Sequence, residues 1–316
     1  MTKLATFQNP IFQDETKARE ALEATRWPDG PYCPHCGNSD QTLIAKVEGK
    51  KQTHRAGLFY CNECKGQFTV TVGTVFERSK IALTKWWMAA HMMNSGKNGV
   101  SAHEIHRSIG VTYKTAWFMM HRLREAMKDI APTPMGGEGS SIQADETYYG
   151  NTSKRAKGYR KGHSRKSSVV ALVEKPKGRV RVKHMTTGIS SPDVREFLVT
   201  NADRKSELHT DESRLYIKVG KEFYAHKTVL HGWNQGGHYV GKDGQTTNAV
   251  ENFFGNMKRS LRGTYIHVSE QHLQRYLSEF EFRYNNRSGL GVTDGERTAR
   301  AMKGIEGKRL TYRPTN

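Results

Sequence analysis

The chain has 316 residues, enough for two or three domains that each bury a core. Lys and Arg number 50 against 31 Asp and Glu, a net charge of +19, and only 35% of residues are hydrophobic. No stretch approaches the roughly 18 apolar residues needed to cross a bilayer, and residues 1–10 have no charged start followed by an apolar run. A protein working in the cytoplasm, without membrane contact, is therefore expected. An excess this large points to a polyanionic partner, nucleic acid first. Charge kept for solubility alone carries less weight, because +19 exceeds what that role needs.

In chain order, the first signal is the cysteine pattern. Cys33-Pro34-His35-Cys36 and Cys61-Asn62-Glu63-Cys64 are two C-x-x-C knuckles separated by 24 residues, the spacing of a zinc ribbon. Each knuckle offers two thiolates to one side of a tetrahedral ion, and Gly37 and Gly66 supply tight backbone behind them. Short strands are expected at residues 43–47 and 57–60. Disulfides or reactive thiols are the alternative, and a reducing compartment argues against the first. With Cys33, Cys36, Cys61 and Cys64 filling all four positions, the zinc would be structural. Lys46, Lys50, Lys51, His54, Arg55 and Lys65 surround the knuckles, as a phosphate-facing surface or a solvated one. Residues 68–76 are Val- and Thr-rich and are expected to add a last strand and turn, closing a first region at residues 1–76.

Residues 77–130 read as helical. Leu83, Trp86, Trp87, Ala90 and Met93 recur at helical spacing over 83–94, with the tryptophans as core. Ser101 and Glu104 have the capping-box spacing for a helix at 102–108. Gly110 ends it, and Thr112 caps a longer helix at 113–128. Helix, glycine turn and helix form a helix-turn-helix pattern whose second helix would present Tyr113, Lys114, His121, Arg122 and Arg124 to DNA. Any two packed helices produce the same pattern. Residues 131–140, rich in Pro, Gly and Ser, are expected to be a linker.

Beyond the linker, strands are expected at 141–149, 167–174 and 180–185. A helix follows at 192–200, then strands at 207–213 and 227–231 and a helix at 246–262. That order resembles the α/β ribonuclease H-like core, in which a three-stranded meander is extended by parallel strands, and it marks 141–290 as a catalytic domain with a tail at 291–316. In that core Asp145 and Asp211 fall on neighbouring strands, and the last helix brings Asn248, Glu251 and Lys258. Converging carboxylates repel one another, and hard divalent cations such as Mg²⁺ or Mn²⁺ relieve the repulsion. Two such ions could activate water or a 3′-hydroxyl against a phosphodiester, with Lys258 holding a phosphate nearby. Taken singly, a strand-end Asp is a turn former, Glu251 and Lys258 a surface charge pattern, and Glu146 and Glu212 rival ligands. Between the first two strands, Lys154, Arg155, Lys157, Arg160, Lys161, Arg165 and Lys166 crowd together without an acid. They form either a phosphate-gripping loop or a solvated hairpin tip.

These motifs together resemble the zinc-ribbon DDE transposases of bacterial insertion sequences, the ISXO2-like group. The likeness rests on the two knuckles, Ala144-Asp145-Glu146-Thr147-Tyr148, His209-Thr210-Asp211-Glu212, Asn248-Ala249-Val250-Glu251-Asn252-Phe253-Phe254 and Met257-Lys258-Arg259. It continues through Arg262-Gly263-Thr264-Tyr265 to Val268-Ser269, His272-Leu273-Gln274-Arg275-Tyr276 and Phe282-Arg283-Tyr284-Asn285. The resemblance implies a metal-dependent strand-transfer enzyme acting on the ends of its own mobile element and on target double-stranded DNA. Asp145 and Asp211 map to the first two acids. The third position varies between Asn and Glu in the family, so Asn248 and Glu251 both qualify, and Glu251 is favoured because a carboxylate binds Mg²⁺ more strongly than an amide. Lys258 and Arg259 would contact DNA. Joining two ends implies at least a dimer, working in a bacterial-type cytoplasm at the nucleoid. Two alternatives stand beside this: a zinc-ribbon DNA-binding regulator without catalysis, and a structure-selective nuclease that cuts without joining.

Overall fold

The structure is a computed structural model and describes residues 7–48, 54–150, 167–186, 188–230, 240–241 and 244–311. Its contacts divide the chain into two units, residues 1–128 with 287–316, and residues 129–286. Among the described residues no helix is long and apolar enough to cross a membrane.

The first unit opens with helix α1 (Glu15–Arg26), capped by the Asp14 side chain. A small antiparallel sheet follows, made of β1 (Ile44–Lys46), β2 (Phe59–Cys61) and β3 (Gln67–Phe68) in the order β1-β2-β3. It is too small to bury a core alone. Trp27 closes it, with its ring edge-on to Phe59 at 5.3 Å and to Phe68 at 5.9 Å. Arg26 then inserts its guanidinium among the following turns and donates to the carbonyls of Val70 and Val72 at 2.8 and 2.7 Å. That explains why residues 69–76 do not continue as a strand. Arg26 takes carbonyls a ladder would need, and Thr74 turns its hydroxyl back onto Thr71 O at 2.7 Å.

Helix α2 (Leu83–Ser95) begins at Ala82, which has no capping side chain. The Glu15 carboxylate supplies the cap from α1, accepting from Leu83 N and Thr84 N at 2.8 and 3.2 Å. Trp86 and Trp87 are buried as expected. Helix α3 (Ala102–Ile109) starts at Ser101, whose hydroxyl accepts from Glu104 N. It stops at left-handed Gly110. Helix α4 (Tyr113–Met127) is capped by Thr112. On α4 the structure corrects the expected DNA-facing surface. Tyr113 and Lys114 are exposed, but His121 is buried and Arg124 is 1% exposed. Arg122 lies over the Phe118 ring and donates to the carbonyls of Leu310 and Glu77. The reason is packing: from Ala116 onward α4 is enclosed by α2, α3 and a last helix, so its basic side chains turn inward.

That last helix is α9 (Asp294–Lys303), where a tail was expected. A complete capping box joins Thr293 and Glu296, and Ala301, Met302 and Ile305 are buried in the first unit. Arg297 donates to Asn94 O at the end of α2.

The second unit holds one five-stranded sheet in the order β6-β5-β4-β7-β8. Strands β4 (Ser141–Tyr149), β5 (Ser167–Lys175) and β6 (Val180–Met185) form an antiparallel meander; β7 (Glu207–Thr210) and β8 (Ala225–Thr228) add in parallel beside β4. Strand alternation builds two cores. Val169, Ala171 and Val173 pack beneath helices α7 (Asn248–Gly263) and α8 (Glu270–Asn285), against Phe253, Phe254, Met257 and Leu277. On the opposite face Ile142, Ala144, Val170 and Leu172 meet Val194, Phe197 and Leu198 of α5 (Ser191–Asn201), with Val219 of the short α6 (Ile217–Gly220). This is the expected ribonuclease H-like α/β arrangement. Part of the expected linker belongs to it: Met135 is fully buried and pairs with Ala202.

Because α8 runs beside β6, its side chains cover that strand's free edge. Val180 N donates to Asn285 Oδ1, Val182 N to Glu281 Oε2 and His184 N to Gln274 Oε1, at 2.7, 3.1 and 2.8 Å. An edge satisfied in this way cannot recruit another strand.

Residues 129–286 expressed alone are expected to unfold in one cooperative thermal transition. Residues 1–286 should lose the melting transition of the first unit, which lacks α9 there. Calorimetry of the two fragments checks both outcomes.

Candidate active site

Two constellations carry chemistry, one in each unit. In the first unit the four cysteine sulfurs lie within 4.8 Å of one another, with Cys33 and Cys64 at 3.6 Å and Cys36 and Cys61 at 3.8 Å. A tetrahedral ZnS₄ centre with bonds of about 2.3 Å has sulfur–sulfur edges of about 3.8 Å. A disulfide would need about 2.05 Å. The thiols therefore fit zinc. The backbone N–H of Cys64 leads in lowering the Cys61 thiol to about 6, against burial and helped by the Asn38 side chain and the Glu63 N–H, which favours a thiolate ligand. Asn38 Nδ2 also reaches Cys61 Sγ, and His35 turns away from the sulfurs to Gln67 O at 3.2 Å.

In the second unit the acids lie where β4 and β7 run side by side. The parallel ladder pairs Ser141 with Glu207, Ile142 with Leu208 and Gln143 with His209. Two residues further along the same register, Asp145 comes opposite Asp211. Side chains alternate along a strand, so both share the face of Gln143 and His209, the α7 side. Helix α7 is fastened there at its first turn, where Ala249 N donates to Gln143 Oε1 at 2.9 Å. Glu251 follows on the same turn and accepts from the Thr247 hydroxyl at 2.6 Å.

Electrostatics reports the convergence directly. The Asp145 carboxyl is pushed up to about 7, first by burial and then by the negative charges of Glu146, Asp211 and Glu251, partly offset by its bond from Glu146 N at 2.7 Å. Asp211 is set by the turn after β7, accepting from Ser213 N at 3.0 Å. Glu212 and Asn248 are exposed, and the Glu251 charge is among those acting on Asp145. Lys258 lies two turns along α7, about 10 Å from Glu251 along the axis, and is half-buried. The carboxylate oxygens are more widely spaced than the cysteine sulfurs. Among the described residues only the cysteines draw three or more metal-binding groups within 4.8 Å.

Three residues of this region were not singled out from sequence as parts of the site. Gln143 ties β4 to α7. Tyr216, fully buried, donates its hydroxyl to Glu146 Oε2 at 2.7 Å, and Ser213 donates to the other oxygen at 3.4 Å. Alternation puts Glu146 on the α5 side of β4, where it braces the turn carrying Asp211, and its charge still acts on Asp145 and feels that of Asp211. Burial comes first in raising both the Glu146 carboxyl and the Tyr216 phenol. The third is His209, whose Nε2 meets Glu207 at 3.3 Å. Gln and Tyr carry no spacing signature, and only the sheet register reveals them. The basic segment with Lys154, Arg155, Lys157, Arg160, Lys161, Arg165 and Lys166 lies outside the described residues, as do Lys50 and Lys51.

A five-stranded sheet of this order, with one acid on β4 and another just past its parallel neighbour β7, is the ribonuclease H-like arrangement, and comparison with known proteins gives the family. Residues 136–285 match the ISXO2-like transposase domain and residues 13–67 the transposase zinc-ribbon domain. The chain belongs to the zinc-ribbon transposases of the ISXO2-like group. It is 27% identical over 289 residues to an uncharacterised protein in transposable element ISH50 of Halobacterium salinarum, covering 86% of this chain and 91% of that one. Similar solved structures include the simian T-cell lymphotropic virus intasome in complex with a PP2A regulatory subunit, at 14% identity and TM-score 0.28. The match covers 56% of this chain and 63% of that one. Another is the HTLV-2 integrase catalytic core domain in complex with magnesium, at 13% identity and TM-score 0.27, covering 46% and 86%. The Mos1 strand transfer complex matches at 9% identity and TM-score 0.25, covering 65% and 70%.

Purified protein is expected to carry one equivalent of zinc by elemental analysis. Cys61→Ser should lose the metal and expose residues around the knuckles to rapid amide exchange.

Proposed function

We propose that the chain is a DNA transposase that cleaves phosphodiesters at the ends of its own insertion sequence and joins the freed ends to target DNA. The observation that carries this is the shared environment of Asp145, Asp211 and Glu251 on one face of the sheet, in a chain of the transposase family. Burial, and after it the charges of three neighbouring acids, hold the Asp145 carboxyl up at about 7, a repulsion that bound divalent cations would relieve.

Asp145, Asp211 and Glu251 would hold two Mg²⁺ or Mn²⁺ ions, with Glu251 in the third position and Asn248 beside it. Bound cations would supply the Lewis acidity that stabilises charge on the attacking and leaving oxygens of the phosphodiester. The protein's own part is positioning. The register of β4 and β7 sets the separation of the two aspartates. The Gln143 bond to Ala249 N sets the height of Glu251, and Glu146 with Tyr216 restrains the turn after Asp211. Lys258 would neutralise a phosphate, and Arg259 and Lys114 would contact the DNA backbone without reading sequence. Water attacks first; the 3′-hydroxyl so released then attacks the target strand. The four cysteines hold zinc to fold the ribbon, the enzyme works in the cytoplasm on nucleoid DNA, and two ends require at least a dimer.

Asp145→Asn and Asp211→Asn are expected to lower cleavage and joining by at least roughly 10³-fold while end-DNA binding in a gel-shift assay stays near wild type. Full joining by either variant defeats the proposal. Glu251→Gln should behave like them, and Asn248→Ala should keep most activity. With Asp145 protonated below about pH 7 in the metal-free protein, cation loading must displace a proton. Apparent Mn²⁺ affinity, followed by electron paramagnetic resonance, should therefore fall about tenfold per pH unit below 7 and level off above it.

A further inference from the structure

The turn between α7 and α8 has no part in the site just described, and its backbone is unusual. Ile266 sits at φ +59°, and His267 N closes back onto Tyr265 O at 2.6 Å, making a tight three-residue turn. A β-branched residue at positive φ is strained, and Gly or Asn would occupy the position with less strain. Both flanks impose it. Tyr265 is anchored against Tyr276 and Phe280, with ring centroids at 4.9 and 6.0 Å, and its hydroxyl reaches Glu279. Val268 is buried in the same core, and its backbone meets the Tyr149 hydroxyl at the end of β4. Held at both ends, the turn lifts Ile266 into solvent, where it is 76% exposed.

Its surroundings are basic. Residues 252–269 contain Lys258, Arg259 and Arg262 and no acid, and the next residue, Glu270, turns to His184 Nε2 at 3.9 Å. Arg259 and Arg262, one turn apart, are both exposed, as is His267. A strained aliphatic side chain standing in a positive rim matches one partner by charge and shape. That partner is duplex DNA, whose phosphates meet the rim and whose base steps admit an apolar wedge.

We infer that Ile266 is a wedge that enters a base step of the DNA duplex engaged by this enzyme and unstacks it. The inference rests on the transposase reading. Glu251 and the end of α7 are twelve residues apart, about 18 Å along the helix. At about 3.4 Å per base pair, the distorted step lies about five or six base pairs from the phosphate at the carboxylates. Unstacking there, at a cost met by added backbone contacts, would bend the duplex onto the basic rim.

The test uses full-length protein carrying Asp145→Asn, which should bind without cutting, and duplexes of its own element end with 2-aminopurine at successive positions. Fluorescence is expected to rise about threefold or more at one step, four to eight base pairs from the cut. Ile266→Gly should abolish the rise while keeping the melting temperature equal or higher, because glycine relaxes the backbone. Ile266→Met, which keeps an apolar wedge, should retain most of it. A residue present only for packing would behave oppositely, losing stability and leaving DNA stacking unchanged. Unstacking by Ile266→Gly equal to that of the parent overturns the wedge alone, as does a change of oligomeric state with stacking unaltered. If protein with Asp145 intact neither binds nor cuts end DNA, the wedge and the transposase reading fall together.

Discussion

Parallel pairing of β4 with β7 is the constraint on which the chemistry hangs. It brings Asp145 on β4 and Asp211, the first residue past β7, onto one face, where their charges oppose each other in a half-buried setting. Like charges at such a place are costly. The surrounding bonds consequently fix positions and do little to neutralise charge. Neutral groups take up the lone pairs of the acids: Glu146 N at Asp145, Ser213 N at Asp211, Thr247 Oγ1 at Glu251, and Tyr216 with Ser213 at Glu146. These bonds come from backbone N–H and hydroxyl groups and leave the acids' mutual repulsion in place at Asp145.

Elsewhere in the same unit, acids are treated differently. Glu174, on the neighbouring strand, is fully buried in its side chain and meets Arg179 and Gly136 N. Glu281 is matched to Arg181 at 2.9 Å and to Val182 N. These are paired structural carboxylates; Asp145 differs from them in that the charges acting on it are those of other acids. The rest of the unit supplies rigidity: two cores sandwich the sheet, and α8 closes the β6 edge.

Much of this was legible in the amino-acid order, for physical reasons that differ by element. The cysteine knuckles were readable because ligation demands a local spacing that survives any tertiary context. The strands were readable because β5, buried on both faces, is a continuous apolar run, and β4 carries a single Asp between apolar and β-branched positions. Helix α4 was misread at His121, Arg122 and Arg124. A helix advertises its exposed face only when one side lacks neighbours, and α4 is wrapped by three helices. One of those, α9, comes from residues nearly two hundred positions away, and nothing local announces its docking. Residues 69–76 were misread because Val and Thr favour strands only where carbonyls are free, and Arg26 occupies two of them. Gln143 and Tyr216 stayed hidden because an amide and a phenol gain importance from what they touch.

The docking of α9 also orders events during translation. Residues 129–286 leave the ribosome as a complete unit while the segment before them still lacks Ala301, Met302 and Ile305. Vectorial synthesis would ordinarily let the leading part of a nascent chain mature first. Here the order is inverted: the amino-terminal unit waits for residues 294–305, so a chain cut short before them keeps an intact acidic sheet and an unfinished ribbon-and-helix module.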